Sequence, residues 1–171
     1  MYKKDSLSAL DAITEAQRIA FAPMLFQSAL CLRNSGVLDY LDRQGKLGAT
    51  LESICENCAV NEYAASVLLD MGLSGRILIH KEERYYLAKV GHFLLHDAMT
   101  RVNMDFTQDV CYQGLFFLEN ALQEGKPAGL KVFGNWPTIY PALSQLPQAA
   151  RKSWFAFDHY YSDGAFNAAL P

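Results

Sequence analysis

The chain has 171 residues, 51% of them apolar and 19% charged, enough to bury a hydrophobic core without disulfides or a structural metal. Fifteen Lys and Arg against 18 Asp and Glu give a formal charge of -3, which excludes a broad electrostatic grip on nucleic-acid phosphates. Cys31, Cys55, Cys58 and Cys111 lack the regular spacing of secreted disulfide scaffolds, and the most apolar stretch, Ile19 to Leu32, is interrupted by Pro23, Gln27 and Ser28. The expectation is a cytoplasmic protein with no membrane span and no nucleic-acid partner.

From Leu7 to Leu32 apolar residues recur at helical spacing in a stripe too wide for a lone surface helix, so a helix pair that must find a partner surface is expected. Ser35 and Gly36 close that segment, and a short helix over GVLDYLD follows. Thr50 is placed to cap a helix over LESICENC, and Asn61 to cap EYAASVLLDMG, whose Ala64, Val67, Leu68 and Met71 share a face. RILIH and RYYLA, separated by the charged KEE, read as a β-hairpin. Helix-turn-helix followed by a hairpin is a winged helix. Beyond the wing, Lys89 to His96 reads as helical, and Thr100 to Gln123 as one long helix striped by Val102, Phe106, Val110, Phe117 and Ala121. A Gly- and Pro-rich break leads to helical pieces around Thr138 to Gln145 and Gln148 to Tyr161, the latter striped by Ala150, Trp154, Phe157 and Tyr161. The predicted fold is mainly α: a winged helix-turn-helix with a small hairpin wing plus extra N- and C-terminal helices. Two domains are expected, residues 1–97 and 98–171. The apolar ending AFNAALP, finishing on proline, reads as a chain cut before a further domain.

Motifs with chemical meaning are few. Cys55 and Cys58 have C-x-x-C spacing but lie late in a predicted helix, so core packing is favoured over redox or zinc chemistry. His92 and His96 fall on one helix face, yet Phe93 stands where a zinc-protease motif needs its glutamate, and a structural role is favoured. Asp105 and Asp109 are one turn apart and resemble an acid/base pair, although a solvated helix face is the commoner meaning. Glu52, Glu56, Glu62 and Asp70 put negative charge where a DNA-reading helix needs cations. The eleven glycines never form G-x-G, so no nucleotide-like cofactor is expected on this chain, and no metal or catalytic residue is assigned. The run WFAFDHYYSD, Trp154 to Asp163, supplies the aromatic walls and polar handles that suit a flat organic ligand, with Phe155, Asp158, His159 and Tyr160 left over once the helix stripe is packed.

Taken in order, GVLDYLDRQGKLGATLESI, GLSGRILIHKEERYYLAKVGHFLL, NMDF and SWFAFDHYYSDGAFNAAL resemble the N-terminal region of S-adenosylmethionine-dependent O-methyltransferases acting on plant phenolics, N-acetylserotonin and bacterial polyketides. The resemblance spans about Arg18 to Leu170. It implies an intertwined homodimer, a small-molecule substrate, and S-adenosylmethionine bound in the full-length protein by a Rossmann-like domain beyond this chain. Phe166, Asn167 and Leu170 match the family's F-N-x-x-M segment, with Leu170 in place of methionine. By the same resemblance Asn103, Phe106, Phe157, His159, Tyr160 and Asn167 are the positions expected to face the substrate. Two other readings stay open: a winged-helix, ligand-responsive transcription regulator, and an enzyme complete in itself with Asp158 and His159 as acid and base.

Overall fold

The computed structural model describes residues 6–169, apart from the side chains of 166–168. It divides into two compact units, one ending at His96 and the other beginning at Asp97.

The first unit opens with one helix, α1 (Ala9–Asn34), rather than the expected pair. Ser8 caps it, its Oγ accepting the Asp11 N–H at 3.2 Å, and the helix runs through Pro23 without a break. Only its last turns enter the core, through Ala29, Leu30 and Leu32. Gly36, at φ 85°, turns the chain from α1 into α2 (Val37–Gln44), a reversal that glycine makes without steric cost. Thr50 Oγ1 accepts the Ser53 N–H at 3.2 Å and starts α3 (Leu51–Asn57); Asn61 Oδ1 does the same for Ala64 at 2.8 Å and starts α4 (Glu62–Ser74). Both caps sit where the sequence places them.

The buried face of α4 is rotated from the expected one. Ala65, Leu69 and Gly72 are buried, whereas Val67 is exposed. The reason is Gly72, whose missing side chain lets Leu78 and Leu32 close onto the helix; a Cβ there would stand 2.7 Å from Leu78 Cδ1.

Strands β1 (Leu78–Lys81) and β2 (Arg84–Leu87) pair antiparallel, Leu78 opposite Leu87 and Lys81 opposite Arg84. Their two-residue tip, Glu82 and Glu83, has positive φ at both positions, the geometry of a tight hairpin turn. Ala49 bridges Tyr85 and adds a short third edge, which completes the winged-helix order of helix, edge, helix, helix and hairpin. Helix α5 (Lys89–His96) follows. The core of this unit is aliphatic: Leu32, Leu38, Leu41, Ile54 and Leu69 are fully buried, each contributing about 1.5–3 kcal/mol by removal from water.

The second unit contains α6 (Ala98–Phe106), α7 (Leu118–Glu124) and α8 (Gln148–Ala169). The single helix expected over Thr100 to Gln123 is broken by a wide π turn at Thr107–Cys111 and a 3₁₀ turn at Gly114–Phe117. The break coincides with backbone contact between Gly114 and Gly129: a Cβ on Gly129 would lie 2.5 Å from the Gly114 carbonyl oxygen. The 138–145 stretch is a short 3₁₀ turn, Tyr140–Ala142, and α8 continues beyond the expected end at Tyr161. Ala142, Leu146 and Ala150 form a small core covered by Val110, Phe133 and Trp136.

Gly48 locks the wing to the helices. Its φ of 61° with ψ of -175° is open to glycine alone, and a Cβ would meet the Tyr86 ring at 2.5 Å and the Tyr85 carbonyl oxygen at 2.9 Å. Arg84 fastens the same loop, its Nε donating to the Leu47 carbonyl at 2.7 Å. Gly48→Ala is therefore expected to destabilise by at least ~2 kcal/mol and to lower the melting temperature by roughly 10 °C. Gly45→Ala, where a Cβ meets nothing within 4 Å, should cost less; thermal denaturation of the two variants checks the order.

Candidate functional site

The chemistry-bearing residues of the second unit gather where α6 and its π turn face α8. Asp97 starts α6, its carboxylate accepting the Thr100 N–H at 2.8 Å and the Thr100 hydroxyl at 2.7 Å. Those bonds, the backbone one foremost, hold the Asp97 carboxyl below the usual carboxylate range. Along α8, Ala150, Ser153, Trp154, Phe157 and Tyr161 recur at helical spacing and so share a face. Phe106 stacks on Phe157 with ring centroids 4.1 Å apart and planes 18° from parallel; Trp154 lies 5.8 Å from Phe106, and Tyr161 4.8 Å from Phe157. At the open end of this seam the Tyr161 hydroxyl donates to Asn103 Oδ1 at 2.9 Å.

The π turn sits beside the seam. Its wide bond, from the Tyr112 N–H to the Thr107 carbonyl at 2.8 Å, adds a residue to the turn, and Asp109 there meets α8. The buried Ser153 donates its hydroxyl to Asp109 Oδ2 at 2.6 Å, satisfying a polar group that would otherwise be costly to bury. A cavity of about 280 Å³ opens beside this pair, lined by Gln108, Asp109, Val110, Phe133, Pro147 and Ala150 among others. That is just below the roughly 300–1,000 Å³ typical of ligand pockets.

Of the expected substrate-facing residues, the fold brings together Asn103, Phe106 and Phe157. His159 and Tyr160 are exposed, the Tyr160 ring lying 5.2 Å from that of Tyr161 at the edge of the seam, and the side chain of Asn167 lies outside the described residues, as do Phe166's side chain and Leu170. Tyr161 and Trp154, read from sequence as helix packing, are the ring partners of the seam. Their signal was present in the Ala150, Trp154, Phe157, Tyr161 stripe, but the stripe alone does not say that α6 offers Phe106 and Asn103 to it. The paired carboxylates Asp105 and Asp109 do not share one role, since Asp109 is committed to Ser153. His159 pairs with Asp163 rather than Asp158, Nδ1 to Oδ1 at 3.1 Å.

The cysteines are free thiols. Burial pushes the Cys58 thiol up, partly opposed by Arg43, and burial does the same for Cys111; a raised thiol is a poor nucleophile. The first unit has an acidic concavity lined by Glu52, Glu56, Glu62 and Glu83 with Cys55 and Thr50, and α4, the helix that would read DNA, contains no Lys or Arg.

The order of elements is that of a winged helix, and α4, in the recognition-helix position, carries Glu62 and Asp70 with no Lys or Arg. Residues 14–85 match the profile of the Dimerisation2-like domain. No curated protein sequence matches the chain. Among solved structures it is similar to SibL, an S-adenosylmethionine-dependent methyltransferase, in its apo form, with TM-score 0.74 at 17% identity over 92% of this chain and 47% of that one. The pyocyanin biosynthetic protein PhzM gives 0.70 at 16%, over 92% and 46%. LepI in complex with S-adenosylmethionine gives 0.70 at 15%, over 89% and 40%. The chain thus spans less than half the length of these structures, and its mainly helical fold is that of the N-terminal region of methyltransferases.

The Asp163 hydrogen bond and charge raise the His159 imidazole above its ordinary value. The pair's stabilising contribution is therefore fully present below the ordinary imidazole range, about pH 6.5, and is lost as pH rises through the raised value. Asp163→Asn is expected to move the His159 titration, followed by NMR of the ring protons, toward lower pH; an unmoved midpoint would show that the pair does not persist in solution.

Proposed function

We propose that this chain is the dimerisation and substrate-pocket half of an S-adenosylmethionine-dependent O-methyltransferase acting on a small aromatic or polyketide-like molecule. The observation that carries the proposal is the superposition of 92% of this chain on under half of a methyltransferase that uses that cofactor. Residues 1–97 act as the dimerisation and winged-helix domain, and 98–171 as the segment that covers the substrate.

The first role rests on α1. Leu10, Ile13, Phe21 and Met24 fall on one face of its N-terminal half and are all exposed, Leu10 at 77%. Exposed apolar side chains gathered on one helical face are what a partner surface covers, and the Dimerisation2-like match supports a second copy as that partner. The second role rests on the seam: a planar acceptor can stack against rings of the Phe106, Phe157, Trp154 kind, with the Asn103 amide and the Tyr161 phenol as orienting groups. Methyl transfer needs an acceptor oxygen held in line with the sulfonium methyl and shielded from water. Those are the tasks assigned to this half. In this reading the cofactor and the base are supplied outside the residues of this chain, and the chain alone is expected to bind no S-adenosylmethionine and to show no turnover. No helix among the described residues is long and apolar enough to cross a membrane.

The regulator reading requires DNA to approach α4, whose exposed residues include Glu62, Tyr63, Val67 and Asp70. These repel or ignore phosphates.

Sedimentation velocity tests the proposal. The chain is expected to run as a dimer at micromolar concentration, and Phe21→Asp, which places a charge on the exposed α1 face, as a folded monomer with unchanged far-ultraviolet circular dichroism. A monomeric parent chain, or a dimer indifferent to Phe21→Asp and Ile13→Asp alike, would overturn it.

A further inference from the structure

Three metal-competent side chains converge in the first unit. His92 and His96 lie one turn apart on α5, both exposed, with ring centroids 4.6 Å apart. Each turns a ring nitrogen to the half-buried Asp42 of α2: His96 Nε2 is 2.9 Å from Oδ2, and His92 Nδ1 is 3.7 Å from Oδ1. All three ligand atoms lie within 4.8 Å of one another.

We propose that Asp42, His92 and His96 form a binding site for a zinc-type divalent transition-metal ion that ties α2 to α5. Around a tetrahedral ion held at about 2.0–2.2 Å, ligand atoms stand about 3.3 Å apart. The 2.9 Å contact from His96 runs to Oδ2 and the 3.7 Å contact from His92 to Oδ1, so the carboxylate meets the ion through either oxygen or both once the rings turn toward it. Histidines at i and i+4 are the spacing with which one helix face offers two imidazoles to one ion. The carboxylate arrives from a helix 50 residues earlier, so the donor set belongs to the fold and not to a local run of polar residues. One carboxylate facing two imidazoles is satisfied either by a proton on each ring or by one dication meeting all three groups. Two imidazoles and a carboxylate select zinc, cobalt or nickel over magnesium or calcium, which prefer all-oxygen sets. The remaining coordination position is left to water. Phe93, standing between the histidines where a metalloprotease has its glutamate, gives the ion no general base from that helix, so the role assigned to the ion is the tie between α2 and α5 and no reaction.

The test uses the whole chain, free of affinity tags and dialysed against chelator. Titration calorimetry with zinc chloride is expected to show one ion per chain, and zinc to raise the melting temperature, since an ion that binds only the folded state stabilises it. His96→Asn, His92→Asn and Asp42→Asn should each weaken binding by more than about tenfold and abolish the melting shift, with circular dichroism checking that the variants fold. His80→Ala and His159→Ala should leave both unchanged. Cobalt substitution reports the donors: nitrogen and oxygen ligation gives visible d–d bands alone. A sulfur-to-cobalt charge-transfer band would place the ion on Cys55 and Cys58 and overturn the proposal, as would zinc binding indifferent to the three substitutions or no saturable binding at all.

Discussion

The structure depends on how little of its longest helix it buries. α1 has 26 residues, about 39 Å of helix, yet its buried residues are confined to Ala29, Leu30 and Leu32 in the last turns. There it packs on α4 and α2, and Leu32, with no exposed surface, closes against the notch left by Gly72. The preceding turns carry Leu10, Ile13, Phe21 and Met24 outward. Four exposed large apolar side chains on one face forgo several kcal/mol of burial, at about 1.5–3 kcal/mol for each side chain removed from water. The anchored end is thus buried within the single chain, and the other end presents the apolar face that the proposed dimer would cover.

The rest of the first unit serves to hold that anchored end at a fixed angle. Gly36 reverses the chain directly after α1, the Thr50 and Asn61 caps set the starts of α3 and α4, and Gly48 with Arg84 clamps the wing against them. None of this machinery presents a cation to the outside of α4. In the second unit the aromatic seam depends in a similar way on one irregularity: the π turn allows Asp109 to meet Ser153 while Phe106, just before it, stacks on Phe157.

Local signals made much of this legible in the sequence. The caps at Thr50 and Asn61, the hairpin with its charged tip and α5 each depend on residues a few positions apart, and each was found where it was expected. Features set by distant contacts were not legible. The stripe from Val102 to Ala121 keeps helical period throughout, and nothing near it announces that Gly114 will meet Gly129. The face of α4 was misjudged because its orientation is decided by Leu78 and Leu32 closing on Gly72. Of the candidate site, Asn103, Phe106 and Phe157 were named, but not the stacking of Phe106 on Phe157 or the Tyr161 hydroxyl that bonds Asn103, because aromatic density alone does not say which rings of α8 meet α6. The histidine pair on α5 was visible as a pair; Asp42, which gives it a third ligand, was hidden by 50 residues of intervening chain.

The central claim is that a second copy covers the N-terminal half of α1. Hydrogen–deuterium exchange of the backbone amides from Ala9 to Met24, measured across a dilution series spanning the dissociation of the dimer, tests it most directly. The account predicts slow exchange at high concentration that accelerates on dilution, while the amides of Ala29 to Leu32 stay protected throughout. Fast exchange over Ala9 to Met24 at every concentration would contradict it.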